Sequence, residues 1–373
     1  MKQKHVTVTV KAVCDTMEEY APLALSYPED KGGLLVGDPE TSVRCVLTAL
    51  SITEDVVRTA IKRRVDMIVT HHPVIWEPLS HLRTDAPTVR VCFSLLKAGI
   101  SCFSAHTCLD LAKEGVNEVL AKKIGLQEIQ PLLPVAHVRQ VKLVTFVPES
   151  HLAQVRTAVC EAGAGIIGEY RYCSFSSAGV GTFMPSDKAR PFCGKNLQIN
   201  EEPERRFEVL LMEADLPRVL RAMRAAHPYE EPAYDVVPLK NSDTGIGLGR
   251  RGVLPRPMAV SELARELVTL LQLPGVRIVG NLRRRVRRAA VLGGSGGSYV
   301  REIPEDVDVL ITGDVRYHDA LDAQARDLTL IDIGHAGGER CIVPVLAAYL
   351  RKKLPISVLE YKDEEPFVFW NRK

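Results

Sequence analysis

The sequence predicts an α/β protein in which a ferredoxin-like α+β domain is inserted into a discontinuous α/β domain. Strand-like apolar runs alternate with helical segments in residues 1–132 and again in residues 246–373, and this alternation is typical of a mainly parallel sheet. Between them, residues 138–244 follow the order β-α-β-β-α-β of a ferredoxin-like unit. The length of 373 residues also favours roughly two to three domains over a single core.

The first half of the α/β domain places polar residues directly after two predicted strands. The predicted elements are strands at 43–50, 65–70 and 100–105 and helices at 54–64 and 88–99, the last ending in a glycine suited to a C′ position. His71-His72-Pro73 follows the second strand, and the segment from His106 to Asp110 follows the third. Ligands collect at the carboxyl ends of parallel strands, so we expect both segments to face one site.

The inserted domain is predicted from six segments. They are a strand at 141–147, a helix at 150–162, a strand-prone Gly/Ser-rich section from 163 to about 194, a strand at 206–212, a helix at 216–226 and a strand at 234–239. Ser150 is the candidate N-cap of the first helix. The α/β pattern resumes after Gly245.

The second half of the α/β domain repeats the pattern of polar strand ends. Three apolar runs at 289–292, 307–312 and 328–333 are followed by Gly293 to Gly297, by Gly313-Asp314 and by Gly334-His335, respectively.

Composition excludes several classes of function. A net charge of +2 gives no uniform field that would attract nucleic acid or an anionic membrane. No apolar run approaches the ~20 residues that span a bilayer, and the N-terminus looks like the start of a mature domain. Nine scattered cysteines without a CxxC pair argue against a disulfide framework or a thiolate zinc cage. We therefore expect a cytoplasmic protein whose metals, if any, are held by His and carboxylates.

Three short segments offer metal ligands, and each also has a plain structural explanation. His71 and His72 are neighbours in an extended backbone, so their side chains diverge and could serve two ions, or they are simply histidines at the surface or core edge. The pairs His106/Asp110 and His335/Glu339 are spaced i, i+4, which puts both members on one helical face. Taken alone, a capping or core histidine beside a solvated acid explains the His106/Asp110 pair better, and a loop histidine with an exposed acid is a fair explanation of His335/Glu339.

The joint pattern favours a metal site. Imidazoles and carboxylates at separate strand ends form a mixed N/O set that suits Zn²⁺, Fe²⁺ or Mn²⁺ better than Ca²⁺ or Mg²⁺. A glutamate can bridge two ions about 3.5–4 Å apart, as in many hydrolytic centres. The predicted metal ligands are His71, His72, Asp110, His335 and Glu339, and His106 is a candidate for orienting water or moving a proton.

Other polar segments give weaker signals. Gly293 to Gly297 could cradle phosphate, but a flexible turn explains it better because it matches neither phosphate-loop pattern. The basic run from Arg283 to Arg288 could attract phosphates or form a solvated strand. Asp314 and His318 could support the ligands, meet substrate, or cap strand ends.

These motifs together resemble the NGG-one-interacting-factor-three-like family, whose members are also labelled GTP cyclohydrolase I type 2 homologues. The motifs that carry the resemblance are Thr70-His71-His72-Pro73, Ala105-His106-Thr107-Cys108-Leu109-Asp110 with Gly115-Val116-Asn117, Gly293-Gly294-Ser295-Gly296, Thr312-Gly313-Asp314 with Tyr317-His318, and Gly334-His335 with Glu339. In the middle section, residues 172–177 and 227–235 resemble the CutA-like domain inserted in the longer bacterial members.

The resemblance implies a dinuclear metal centre in a ring-shaped homohexamer. Its ligands carry over onto the same five residues, with Glu339 as the bridge. Lys31, Ser51 and Cys108 depart from the family pattern, and these departures bear on substrate contacts and not on the metal ligands.

Two functions remain open at this point. The first is a dinuclear metal-dependent hydrolase of a nucleotide or phosphorylated small molecule, with GTP ring opening as the activity that the family label implies. The second is a non-catalytic metal-binding regulatory or chaperone-like protein. A partner-binding role in transcription is a weaker third, because near-neutral net charge gives direct DNA contact no help.

Overall fold

The computed structural model describes residues 7–135, 138–241, 245–368 and 370. These residues divide into two compact units: unit 1 takes in residues up to 135 and from 245 onward, and unit 2 takes in the residues between. The predicted mature start at residues 1–6 and the predicted domain end at residue 244 lie outside the described residues. The α/β class predicted from the sequence is confirmed, with several sheets.

Unit 1 contains two sheets. Sheet A has the order β1-β4-β3-β2-β15, with β1 (Gly33–Val36), β2 (Cys45–Ala49), β3 (Met67–Thr70), β4 (Ser101–Ser104) and β15 (Ser357–Glu360). Sheet B has the order β11-β14-β13-β12-β10-β5, with β5 (Gln127–Leu133), β10 (Leu248–Ala259), β11 (Arg277–Val279), β12 (Arg285–Val291), β13 (Val309–Thr312) and β14 (Thr329–Asp332).

Parallel pairing aligns the strand ends that the sequence singled out. In sheet A, β15, β2, β3 and β4 are parallel neighbours, and only β1 runs antiparallel at the edge. In sheet B, β12, β13 and β14 are parallel, while β5, β10 and β11 pair antiparallel. Strands β3, β4, β13 and β14 are buried along their whole length, as expected where helices cover a parallel sheet.

Helices cover the sheets of unit 1. They are α1 (Val10–Tyr20), α2 (Glu54–Arg63), α3 (Pro87–Ala98), α4 (Thr107–Leu111), α5 (Val116–Ile124), α8 (Val260–Leu270), α9 (Tyr317–Ala325), α10 (His335–Glu339) and α11 (Ile342–Lys353). The core of sheet A lies against α2 and α3, and the core of sheet B lies against α5 and α8. None of the helices in the described part of the chain combines the length and apolarity that a membrane-spanning helix requires.

Local chemistry explains where α2 and α3 begin and end. The Thr53 side chain accepts the Val56 N–H at the start of α2, and Arg64 closes that helix in a left-handed conformation. Helix α3 starts at Pro87 and ends at Gly99, whose φ of 67° strains any residue with a Cβ. The predicted ends of both helices therefore lie within one residue of the observed ones.

Unit 2 has the strand order β7-β8-β6-β9, all antiparallel. Its elements in chain order are β6 (Gln140–Pro148), α6 (Leu152–Glu161), β7 (Ser174–Phe183), β8 (Asn200–Met212), α7 (Leu216–Ala226) and β9 (Tyr234–Pro238). Both helices pack on one face of the sheet, around Phe207 and Val209.

The predicted N-cap Ser150 is wrong. Glu149–His151 forms a 3₁₀ turn, α6 begins only at Leu152, and its N-cap residue is His151 without a side-chain cap. The Ser150 hydroxyl instead contacts Nδ1 of His151 at 2.9 Å. The tighter turn moves the helix start past the serine, so its side chain cannot reach the first free backbone N–H groups.

Candidate metal centre

The candidate site lies where a strand end of sheet A meets a strand end of sheet B. His71 and His72 follow β3 directly, and His335 begins α10 just after β14. The Nε2 atoms of His72 and His335 lie 3.2 Å apart although 263 positions separate the residues in sequence. The predicted convergence of these segments is therefore present in the structure.

Glu339 lies at the centre of the cluster and is only 3% exposed. Its Oε2 is 3.0 Å from Nε2 of His72 and 3.3 Å from Nε2 of His335. Its Oε1 is 3.6 Å from Nε2 of His71. The two oxygens of this carboxylate thus face different imidazoles: Oε1 faces His71, and Oε2 faces His72 and His335.

Asp110 adds a second carboxylate beside Nε2 of His71. It lies in α4, the short helix after β4, and its Oδ1 is 3.7 Å from Nε2 of His71. Donor atoms within 4.8 Å of one another form three groups: His71/Asp110/Glu339, His72/His335/Glu339 and His71/His72/His106. All five predicted ligands therefore come together, and His106 joins them as a fourth imidazole.

Each of the four imidazoles is fixed at Nδ1 by a different neighbour. The partners are the Ala105 carbonyl for His71 (2.9 Å), the Ser51 hydroxyl for His72 (2.7 Å), an Asp30 carboxylate oxygen for His106 (2.7 Å) and an Asp314 carboxylate oxygen for His335 (2.7 Å). A histidine held at one ring nitrogen presents the other to a metal in a defined direction. The four Nε2 atoms are thus the ones left for the shared space.

Glycines let the loop after β12 reach Glu339. Gly294 has a φ of +63°, and a Cβ built on it would lie 2.3 Å from Oε1 of Glu339. The Gly293 N–H donates to Oδ1 of Asn117 at 2.7 Å, and the Gly296 N–H donates to Oγ1 of Thr312 at 3.0 Å. Two N–H groups of the loop thus have partners within the chain, and the loop forms a close wall of the site.

Asn117 ties that loop to the Asp110 helix. It is 1% exposed, and its Nδ2 donates to the Asp110 carbonyl at 3.0 Å while its Oδ1 accepts from Gly293. The side chain therefore fixes the spacing between two walls of the cluster.

Electrostatics show a site that favours positive charge. Burial opposes protonation of His71, but the carboxylates of Asp110 and Glu339 outweigh it and raise the pKa of His71 to about 9. Contact with Glu339 raises the pKa of His335 to about 9. Burial opposes ionisation of Glu339, yet the charge of His71 holds the pKa of Glu339 well below its usual value. Burial raises the pKa of Asp110 to about 6 and lowers that of His72.

The donor atoms fit divalent cations. Among the described residues, the buried atoms His71 Nε2, Asp110 Oδ1 and Glu339 Oε2 make no hydrogen bond, and leaving such atoms without a partner is costly. Two donors bound to one zinc-like ion at about 2.0–2.1 Å lie roughly 3.0–3.4 Å from each other. The distances of 3.0–3.7 Å between the donors here are close to that range. Bound cations would satisfy the three atoms and take the place of the protons on His71 and His335.

The sequence did not single out Asp30 or Trp76 as site residues. Asp30 is 1% exposed at its side chain and binds His106 together with the N–H and hydroxyl of Thr107. The Trp76 ring lies 5.4 Å from the His106 ring in an edge-to-face arrangement. Asp30 lies 76 positions before His106, outside every predicted ligand segment, and Trp76 stands four residues after His72 in a segment without periodicity.

Residues that depart from the family pattern have different environments. Ser51 contacts His72 as described above, whereas Lys31 is exposed and Cys108 is buried. Of the weaker candidates, Asp314 holds His335, and His318 is exposed beside the Tyr317 ring. Several arginines of the basic run bind within the chain; for example, Arg285 donates to the Pro257 carbonyl.

Comparisons with known proteins indicate the same family over nearly the whole chain. A family model described as Duf34/NIF3 (NGG1p interacting factor 3) matches residues 8–366. Proteins named "GTP cyclohydrolase 1 type 2 homolog" are similar: that of Halalkalibacterium halodurans is 40% identical over 326 residues, 87% of this chain and 88% of the relative. That of Bacillus subtilis (strain 168) is 38% identical over 330 residues, 88% of each.

Solved structures show the same fold. A Bacillus cereus protein related to NIF3 superposes with a TM-score of 0.83 at 36% identity, covering 98% of this chain and 100% of that one. A Staphylococcus aureus protein superposes with a TM-score of 0.76 at 27% identity, covering 98% of this chain and 99% of that one.

Proposed function

The chain belongs to the Duf34/NIF3 family, and from that premise we propose that it is a two-metal hydrolase of a nucleotide or similar phosphorylated small molecule. The family resemblance of the motifs is confirmed. Metal content and turnover are our proposal, and the arrangement of the donors supports it.

The observation that carries the proposal is the position of Glu339. Its Oε1 faces His71, which neighbours Asp110, and its Oε2 faces His72 and His335. A single buried carboxylate between two donor sets suits a bridge between two cations. We assign His71 and Asp110 to one ion, His72 and His335 to the other, and Glu339 to both. The mixed N/O donors favour Zn²⁺, Fe²⁺ or Mn²⁺.

The groups in and around the cluster would have different roles in hydrolysis. Two bound cations would supply Lewis acidity that stabilises negative charge developing on substrate oxygen. Asp30 holds Nδ1 of His106, so that the other nitrogen of His106 can accept or donate a proton inside the cluster. Ser51 and Asp314 keep His72 and His335 in fixed orientations.

GTP is the first substrate to test, because relatives at up to 40% identity carry the name GTP cyclohydrolase 1 type 2 homolog. Assays with ATP and simple phosphoesters test whether turnover depends on the guanine base. Protein loaded separately with Zn²⁺, Mn²⁺ or Fe²⁺ should be assayed with each compound for product formation.

The decisive variant is Glu339→Gln, which keeps the size of the side chain and removes the charge. We expect it to fold, to lose bound metal and to lose turnover by at least a hundredfold. Glu161→Gln, an exposed position in unit 2, is the control and should match the unchanged protein. Turnover retained in a folded Glu339→Gln variant would refute the two-metal mechanism.

A non-catalytic metal-binding regulatory or chaperone-like protein is the alternative. Tight metal uptake without turnover on any compound of the panel would favour it over the hydrolase.

We extend the proposal to the type of the inserted domain and to the number of subunits. We propose that residues 138–244 form a ferredoxin-like, CutA-like insertion in a dinuclear-metal domain; the β-α-β-β-α-β order of unit 2 and its strand order β7-β8-β6-β9 support this. We also propose a cytoplasmic homohexamer, in line with the family resemblance. Light scattering on the purified protein gives the number of subunits directly.

A further inference from the structure

Trp76 is an exposed tryptophan on an anchored backbone. Half of its surface is accessible, 50% by relative area. The two preceding residues, Val74 and Ile75, pack against the core of sheet A. Four positions earlier, the His72 N–H donates to the Leu50 carbonyl at 2.9 Å. The indole is therefore presented to solvent from a fixed position, which lowers the entropy cost of binding a flat ligand.

Trp76 lies at the rim of the candidate metal centre. Its ring is 5.4 Å from that of His106 at an interplanar angle of 84°. His106 in turn lies 5.3 Å from the His71 ring and 5.9 Å from the His72 ring. A ligand that reaches the cluster beside His106 thus passes within contact distance of the indole.

The most exposed imidazole of the cluster, that of His335, also lies beside His72. The His335 ring is 5.1 Å from that of His72, and the His335 side chain is 39% exposed. Trp76 with His106 and His335 with Asp314 therefore flank one imidazole. A molecule with a flat ring at one end and an anionic group at the other matches this order, since cations held by the cluster would attract the anionic end.

We propose that Trp76 is a specificity-determining residue that stacks on the planar base of a nucleotide whose phosphates reach the metal cluster. This inference rests on the proposed function and names the part of the substrate that the chain recognises. Stacking of a base on an aromatic side chain is tolerant of base identity, so purine nucleotides should bind better than sugar phosphates that lack a base.

Fluorescence can report on Trp76 alone. The chain has two tryptophans, and the other, Trp370, is 91% exposed near the end of the chain. The intact Trp370→Phe variant, loaded with metal, would be titrated with GTP, ATP and ribose 5-phosphate. We expect both nucleotides to quench the indole emission in a saturable way, and ribose 5-phosphate to leave it unchanged.

Substitutions at Trp76 test the role of the ring. In Trp76→Leu, we expect nucleotide affinity, measured by equilibrium dialysis, to fall roughly tenfold to a hundredfold with unchanged metal content. Trp76→Phe, which keeps a flat ring, should recover part of the loss. Equal nucleotide affinity in Trp76→Leu would overturn the proposal, as would quenching by ribose 5-phosphate as strong as by GTP.

Two further outcomes separate this inference from the proposed function. Nucleotide quenching without turnover would support base recognition and contradict the hydrolase. Turnover of nucleotides with unchanged affinity in Trp76→Leu would leave the hydrolase standing and overturn the role of Trp76. Indole emission that is already blue-shifted and shielded from iodide in the ligand-free protein would also overturn it, because Trp76 would then be covered by another copy of the chain.

Discussion

The carboxylate of Asp314 orients His335, one of the predicted metal ligands. It accepts a hydrogen bond from Nδ1 of His335 at 2.7 Å, and this contact directs Nε2 of that ring toward Glu339. Asp314 has a φ of +52°, a conformation that Asp and Asn adopt more readily than most residues. The strand end of β13 therefore accepts an uncommon backbone geometry at the position that orients a ligand.

Asp314→Asn tests this orientation. Asparagine keeps the positive φ accessible but removes the negative charge, so we expect metal affinity to fall about tenfold to a hundredfold. Competition with a chromogenic chelator measures the change. Asp187→Asn, an exposed position in unit 2, should bind metal like the unchanged protein. Equal affinity in Asp314→Asn would show that His335 needs no support from this carboxylate.

Proton release should accompany metal uptake. In the metal-free chain, the pKa of His71 and that of His335 are raised to about 9 by their carboxylate neighbours, so both rings carry a proton at pH 7. A cation must displace these protons, and its apparent affinity should therefore rise as the pH increases toward 9. Calorimetric titrations in buffers of different ionisation enthalpy count the released protons. A metal affinity that is constant between pH 6.5 and 9 would contradict the predicted release of protons.

Two five-residue helices place the carboxylate ligands. Helix α4 carries Asp110 one turn after His106, and α10 carries Glu339 one turn after His335. The i, i+4 spacing predicted the pairing of His335 with Glu339, whose Nε2 and Oε2 lie 3.3 Å apart, whereas His106 and Asp110 belong to different groups of donors. The partner of His106 could not be predicted this way, since Asp30 lies 76 positions away and β1 and β4 bring the two segments together.

The loop after β12 should tolerate no side chain at Gly294. Both Gly294 and Gly99 have positive φ, but a Cβ at Gly294 would collide with Glu339, whereas nothing lies within 4 Å of one at Gly99. We expect Gly294→Ala and Gly99→Ala each to lose about 1 kcal/mol or more of folding stability from backbone strain. Only Gly294→Ala should also lose metal affinity. Chemical denaturation and chelator competition measure the two effects, and equal metal binding in both variants would contradict the close approach.

At the scale of the whole molecule, two sheets bring their carboxyl edges to one place. Apolar runs that end in His71-His72 and in Gly334-His335 predicted the strands and the polar ends of both sheets. Periodicity could not show which sheet each strand joins or that β3 and β14 meet, because these contacts depend on packing between distant segments. The family motifs supplied that information, since they occur together and in order along the chain.

We propose that the edge shared by the two sheets holds a pair of cations bridged by Glu339. The most direct test is the number of ions bound per chain, obtained by elemental mass spectrometry on intact metal-free protein titrated with Zn²⁺ and freed of excess ion. If Glu339 bridges two cations, the unchanged protein should saturate at two ions per chain and Glu339→Gln at a smaller number. Saturation at a single ion in the unchanged protein, or at two ions in folded Glu339→Gln, would contradict it.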